Sequence, residues 1–88
     1  MEFIVVKTCA ADAHDAIPKK LASVDIAGSL SKLKLAGYKE VADAGVMCVV
    51  EKDGVESTLF SSGRVLVKTG DPILAEKTAK GIYEIIGM

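Results

Sequence analysis

Two tight turns placed close together constrain this chain more than anything else in it. Lys52-Asp53-Gly54-Val55 puts Asp-Gly at the centre of a two-residue hairpin, where both central residues need positive φ. Shortly after it, Ser61-Ser62-Gly63 marks a second turn. Around the two turns lie Val46–Glu51, Glu56–Phe60 and Arg64–Thr69, short runs rich in β-branched and aromatic residues. Three consecutive strands joined this tightly must be antiparallel.

The turns also predict register. The Asp-Gly hairpin sets Glu51 opposite Glu56, Val49 opposite Thr58 and Met47 opposite Phe60, and opposed residues share a face. A three-residue Ser61–Gly63 loop then sets Thr58 opposite Leu66. A two-residue Ser62-Gly63 turn would flip the last strand. One face therefore carries Met47, Val49, Glu51, Glu56, Thr58 and Phe60, joined by Arg64, Leu66 and Lys68. The other carries Val46, Cys48, Val50, Ser57, Leu59, Ser61, Val65 and Val67. This second face is nearly free of charge, so it is the expected core. The first is left as an apolar surface with a charged rim, which suggests an interaction or oligomer face unless the loop around 39–45 covers it.

The remaining elements flank this meander. Phe3–Cys9 reads as a first strand, with Phe3, Ile4, Val5, Val6 and Lys7 as a candidate dimer strand. Residues 10–17 read as a short helix capped by Asp12, with Pro18 starting a new turn or kink. Asp25 is a candidate N-cap for a helix with its apolar stripe at Ile26, Leu30 and Leu33, ended by Gly37. Asp71 and Pro72 open a last helix with a stripe at Ala75, Ala79, Ile82 and Ile86, closed by Gly87. The order is strand, helices, a meander of three or four strands, helix. It predicts one α+β domain over residues 1–88, with two layers and the helices on one face of an antiparallel sheet.

Composition narrows function mainly by exclusion. A chain of 88 residues buries roughly 63% of its unfolded surface, enough for one core. Half of it is apolar, and 11 basic residues meet 12 acidic ones, which disfavours both disorder and a basic nucleic-acid footprint. No apolar run approaches the roughly 18 residues of a membrane span, and Met1-Glu2-Phe3 lacks the basic start of a signal peptide. Cys9 and Cys48 have no partner motif and read as small core residues, so a reducing cytoplasm is the expected compartment. His14, between Asp12 and Asp15, reads as solvated helix surface rather than a metal ligand, and a zinc site would need further ligands at metal spacing. The Ser61-Ser62-Gly63 segment has no base beside it. Gly28–Ser31 lacks the glycine spacing and lysine of a phosphate loop. No cofactor, metal or catalytic activity is expected.

The run Thr58–Gly70, with its Phe-Ser-Ser-Gly-Arg turn, Val-Leu-Val strand and Thr-Gly end, precedes a helix with Ala75, Ala79, Tyr83 and Ile86. It resembles one repeat of the TATA-box-binding protein family. The match runs over about residues 36–88, with the first strand as a plausible extra. The resemblance implies a curved antiparallel half saddle with helices on its convex side. It also implies a concave side that in the family enters the DNA minor groove, where phenylalanines wedge base steps. Phe60 matches a wedge, and Thr58 and Leu66 match groove-lining positions. Asp43 stands where the second wedge would be, and Val49 and Glu51 where the family carries basic residues. Lys68 is one residue more than the family spacing and implies a bulge in the last strand. The family carries two repeats and this chain one, so a second copy is the natural partner.

Three functions follow as expectations. The favoured one is a non-catalytic module that binds protein, itself foremost, through the open face or an edge strand. The second is a homodimeric minor-groove DNA binder linked to transcription and of archaeal or eukaryotic type, disfavoured by Glu51, Glu56 and Asp43. The third is a small-ligand domain or enzyme, which requires a pocket. The rival fold is a longin- or profilin-like domain, and the deciding feature is whether the first strand pairs beside the last.

Overall fold

The computed structural model describes residues 3–7, 12–20 and 23–87. The elements run β1 (Phe3–Lys7), β2 (His14–Pro18), α1 (Ile26–Leu35), β3 (Lys39–Asp43), β4 (Met47–Lys52), β5 (Val55–Phe60), β6 (Val65–Val67) and α2 (Pro72–Ile86). The chain is an α+β domain with one six-stranded sheet in the order β1-β2-β6-β5-β4-β3, antiparallel at every pairing. Both helices lie on one face. α2 packs over β1, β2 and β6, α1 over β3 and β4, and the helices touch each other.

The turn chemistry works as its residues dictate. Asp53 and Gly54 have φ of 55° and 79°, the paired positive values of a type I′ hairpin. Met47↔Phe60, Val49↔Thr58 and Glu51↔Glu56 are all opposed as expected. Ser61–Gly63 is a three-residue loop: the Phe60 amide donates to the Arg64 carbonyl at 2.9 Å, Gly63 takes φ 89°, and Thr58 faces Leu66.

Helix ends follow the same logic. Asp71 accepts a hydrogen bond from the Ile73 amide at 3.0 Å, with Pro72 opening α2 and Gly87 closing it at φ 83°. α1 ends in a Schellman arrangement, in which the Tyr38 amide reaches the Leu33 carbonyl and Gly37 the Lys34 carbonyl. Asp25 holds the N-cap position, but its carboxylate makes no capping bond.

The core lies between helices and sheet. Cys48, Val50, Leu59, Val65 and Val67 from the strands meet Ile26, Leu30, Leu33, Ala75, Ala79, Ile82 and Tyr83 from the helices. Val46 and Ser61 do not belong to it. Val46 precedes β4 and is 67% exposed, and Ser61 sits in the loop, because β4 begins one residue later than the apolar run suggests.

Four expectations are corrected. Of the segment read as a helix over 10–17, residues 14–17 belong to β2. His14 and Ala16 are buried under α2 while Asp15 and Ile17 point the other way, a period of two that the alanines conceal. Pro18 ends that strand opposite Phe3 instead of starting a turn. Residues 39–43 are not a covering loop but the edge strand β3, flat against β4. The bulge falls in β3 between Glu40 and Ala42, and β6 pairs without a register shift. Thr8 and Cys9, placed on the first strand, lie outside the described residues.

Candidate functional site

The face away from the helices is built from all six strands. Successive pairings Val6↔Asp15, Asp15↔Leu66, Leu66↔Thr58, Thr58↔Val49 and Val49↔Ala42 form one row across the whole sheet. On one side of it lie the pairs Ile4↔Ile17 and Met47↔Phe60, with Arg64 closing the turn beside Phe60. On the other side runs a charged row of Lys39, Glu51, Glu56 and Lys68. Met47, Val49, Thr58, Phe60, Arg64, Leu66 and Lys68 therefore share this one face.

Exposure across it is graded. Thr58 at the centre is buried, Met47, Val49, Phe60, Leu66 and Ile17 are half-buried, and Ile4 and Val6 are 46% and 38% exposed. Ile4, Val6, Asp15 and Ile17 were not expected here. Their alternation was the available signal, but alanine-rich spacing over 10–17 hid it.

Electrostatically the face is balanced. Glu51 and Glu56 oppose each other directly, which is unfavourable by itself. Lys39 opposite Glu51, and Lys68 at 3.4 Å from Glu56, offset that repulsion. Arg64 lies over the Phe60 ring at 4.4 Å, with its Nε 3.5 Å from Asp15 Oδ1. That oxygen accepts no hydrogen bond among the described residues, so the pair is a long contact rather than a closed one. Three acids, Asp15, Glu51 and Glu56, meet three bases, Lys39, Arg64 and Lys68. Asp43 is not among them: it pairs with Cys48 on the helix side, and its Oδ1 accepts from the Gly45 amide.

The two sheet edges differ. β3 carries Lys39, Glu40 and Asp43 and a bulge, devices that discourage further strand pairing. β1 pairs regularly with β2 and carries only Lys7 as a charge, so among the described residues its outer edge has no such protection.

Other chemistry-bearing residues are accounted for structurally. His14 is buried in β2, with Nδ1 2.8 Å from the Thr69 carbonyl, and so is not solvated helix surface. Cys48 is a buried free thiol whose pKa is raised, chiefly by burial and then by nearby Asp43. Among the described residues no group of three metal-ligating side chains converges, and no helix is long and apolar enough to cross a membrane. Comparison with known protein families, characterised proteins and solved structures finds no match for this chain.

Proposed function

We propose that this chain is a non-catalytic binding module that associates with a second copy of itself along β1. The observation that carries this reading is the contrast between the guarded edge at β3 and the unguarded one at β1. Antiparallel pairing of two β1 strands across a two-fold axis satisfies the free backbone groups of both edges and is self-complementary. It also joins the two open faces into one surface, with Ile4 and Val6 of each copy flanking the seam. The half-saddle likeness does not support this reading: it expects the first strand beside the last, but β2 lies there and β1 is added outside it.

Light scattering from about 1 to 100 μM tests the proposal. The expected result is a mass near twice 9.2 kDa that falls to the monomer in an Ile4→Lys/Val6→Lys double variant with an unchanged circular dichroism spectrum. A wild-type chain that stays monomeric throughout overturns it.

The minor-groove reading has one observation in its favour, the Arg64–Phe60 stack on the open face. Against it stand Asp15, Glu51 and Glu56 on the same face. Phosphate neutralisation needs a surplus of cations that this face lacks. That reading requires a mobility shift on A·T-rich duplex that weakens steeply with salt and is lost in Phe60→Ala. No shift at low salt eliminates it.

A further inference from the structure

The direction in which each β1 residue offers its backbone groups follows strand by strand from the meander. The Phe60 amide donates to the Arg64 carbonyl and the Lys68 amide to the Glu56 carbonyl, each at 2.9 Å. These are hydrogen-bonded pairs of the β5–β6 ladder, and Thr58↔Leu66 lies between them in the same register. In an antiparallel ladder the N–H and C=O of one residue point to the same neighbour, and successive residues point to opposite ones. Val65 and Val67 therefore point from β6 to β2, where they meet Ala16 and His14. Asp15 and Ile17 then point from β2 to β1, where they meet Val6 and Ile4. Neither pairing contains a register shift, so the alternation carries through. Pro18, which has no N–H to give, falls opposite Phe3 at a position that requires none.

Phe3, Val5 and Lys7 are left with their N–H and C=O groups pointing out of the sheet edge, where no strand among the described residues meets them. Their side chains lie on the helix side, and Phe3 packs there on the Tyr83 ring. Ile4 and Val6 bond inward to β2, and their side chains are exposed on the open face.

Self-association through β1 is the premise, and on it we infer that the two copies pair in one register, with the two-fold axis through Val5. Val5 and the partner's Val5 then exchange both backbone bonds, and Phe3 does the same with the partner's Lys7. Every outward group of β1 is satisfied. An offset of one residue sets outward groups against groups already bonded to β2. An axis through Ile4 leaves Lys7 without an opposite residue in β1, and an axis through Val6 leaves Phe3 without one. The side chains agree with the Val5 axis. On the helix side the partner's Lys7 lies opposite Phe3, which brings its ammonium within reach of an aromatic ring. On the open face Ile4 lies opposite the partner's Val6, at the closer spacing of a non-hydrogen-bonded pair. That contact covers the two exposed aliphatic side chains of the edge.

Single cysteines in a Cys9→Ala background, oxidised with glutathione disulfide, test the register, since Cys48 is buried. Val5→Cys should form a covalent dimer, because a hydrogen-bonded pair places its Cα atoms about 5.5 Å apart, within disulfide reach. Ile4→Cys and Val6→Cys should each be at least about tenfold slower alone, their own copies lying on a diagonal of about 7–8 Å, yet should link to each other when mixed. Val5→Pro removes an N–H that only the partner uses, so it should be a monomer by light scattering with an unchanged circular dichroism spectrum. Self-linking of Ile4→Cys or Val6→Cys as fast as Val5→Cys overturns the register and leaves self-association through β1 standing. A Val5→Pro chain that keeps both the native spectrum and the dimeric mass also overturns it. A dimeric wild type in which none of the three cysteines links puts the seam away from β1 and overturns the register together with its premise. A wild type that is monomeric throughout removes the premise itself.

Discussion

The Tyr83 hydroxyl donates a 2.6 Å hydrogen bond to the carbonyl of Gly63, tying α2 to the turn that joins β5 and β6. The Ala16 carbonyl of β2 lies 3.3 Å from the same hydroxyl, and Phe3 of β1 packs on the ring at 5.0 Å between centroids. One helical side chain thus gathers the N-terminal hairpin and the meander into one sheet.

Tyr83→Phe leaves the Gly63 carbonyl buried and unpaired, so a loss of about 1–2 kcal/mol is expected. Burial raises the Tyr83 pKa to about 12, above the usual tyrosine value of 10. The folded state therefore holds the proton where the unfolded state has lost it, and this part of the stability is full below pH 10. It declines as pH rises from 10 towards 12. Urea titrations of wild type and Tyr83→Phe should show a stability difference that shrinks across that window. A constant difference would contradict the assignment.

Ser57 lies beneath the helices between Val50 and Val67, and its hydroxyl is buried without a partner among the described residues. Ser57→Ala removes an unsatisfied group at little packing cost. The variant should be more stable by about 1 kcal/mol, raising Tm by about 4–8 °C. A drop in Tm in a calorimetric scan would mean that the hydroxyl has a partner after all.

Gly28→Ala brings a methyl group against the Asp25 carboxylate, the free end of a flexible side chain. The carboxylate can swing away, and alanine is favoured over glycine inside a helix by about 0.8–1 kcal/mol. A modest rise in stability is expected, read as a higher midpoint in thermal melting; a fall would mean that the Asp25 carboxylate cannot move aside.

Cys48 should be inert while the chain is folded, since burial both blocks access to it and raises its pKa. In a Cys9→Ala variant, labelling by a disulfide reagent at pH 8 should track unfolding and fall with every stabilising substitution above. Rapid labelling under native conditions would place Cys48 outside the core.

The meander was legible from local chemistry. Asp53-Gly54 admits one common hairpin type, and a residue step of two then assigns every side chain to a face. α2 was equally legible because its cap, proline, stripe and terminal glycine agree. The open face was therefore half readable, through Met47, Val49, Thr58, Phe60, Arg64, Leu66 and Lys68. Its other half was not. Ala13, His14, Ala16 and Ile17 have no turn to set their register, and alanine favours a helix when nothing else decides. Only pairing with β1 and β6 and burial beneath α2 make that segment a strand.

The sequence alone determined the α+β class, the order of the last three strands, and which side of them is core. These rest on interactions within a few residues, where turn geometry and side-chain period leave little freedom. The tertiary structure decided the second strand, the six-stranded order and the unguarded edge at β1. Each depends on segments far apart in the chain, and local propensity carries no information about which distant surface a segment will meet.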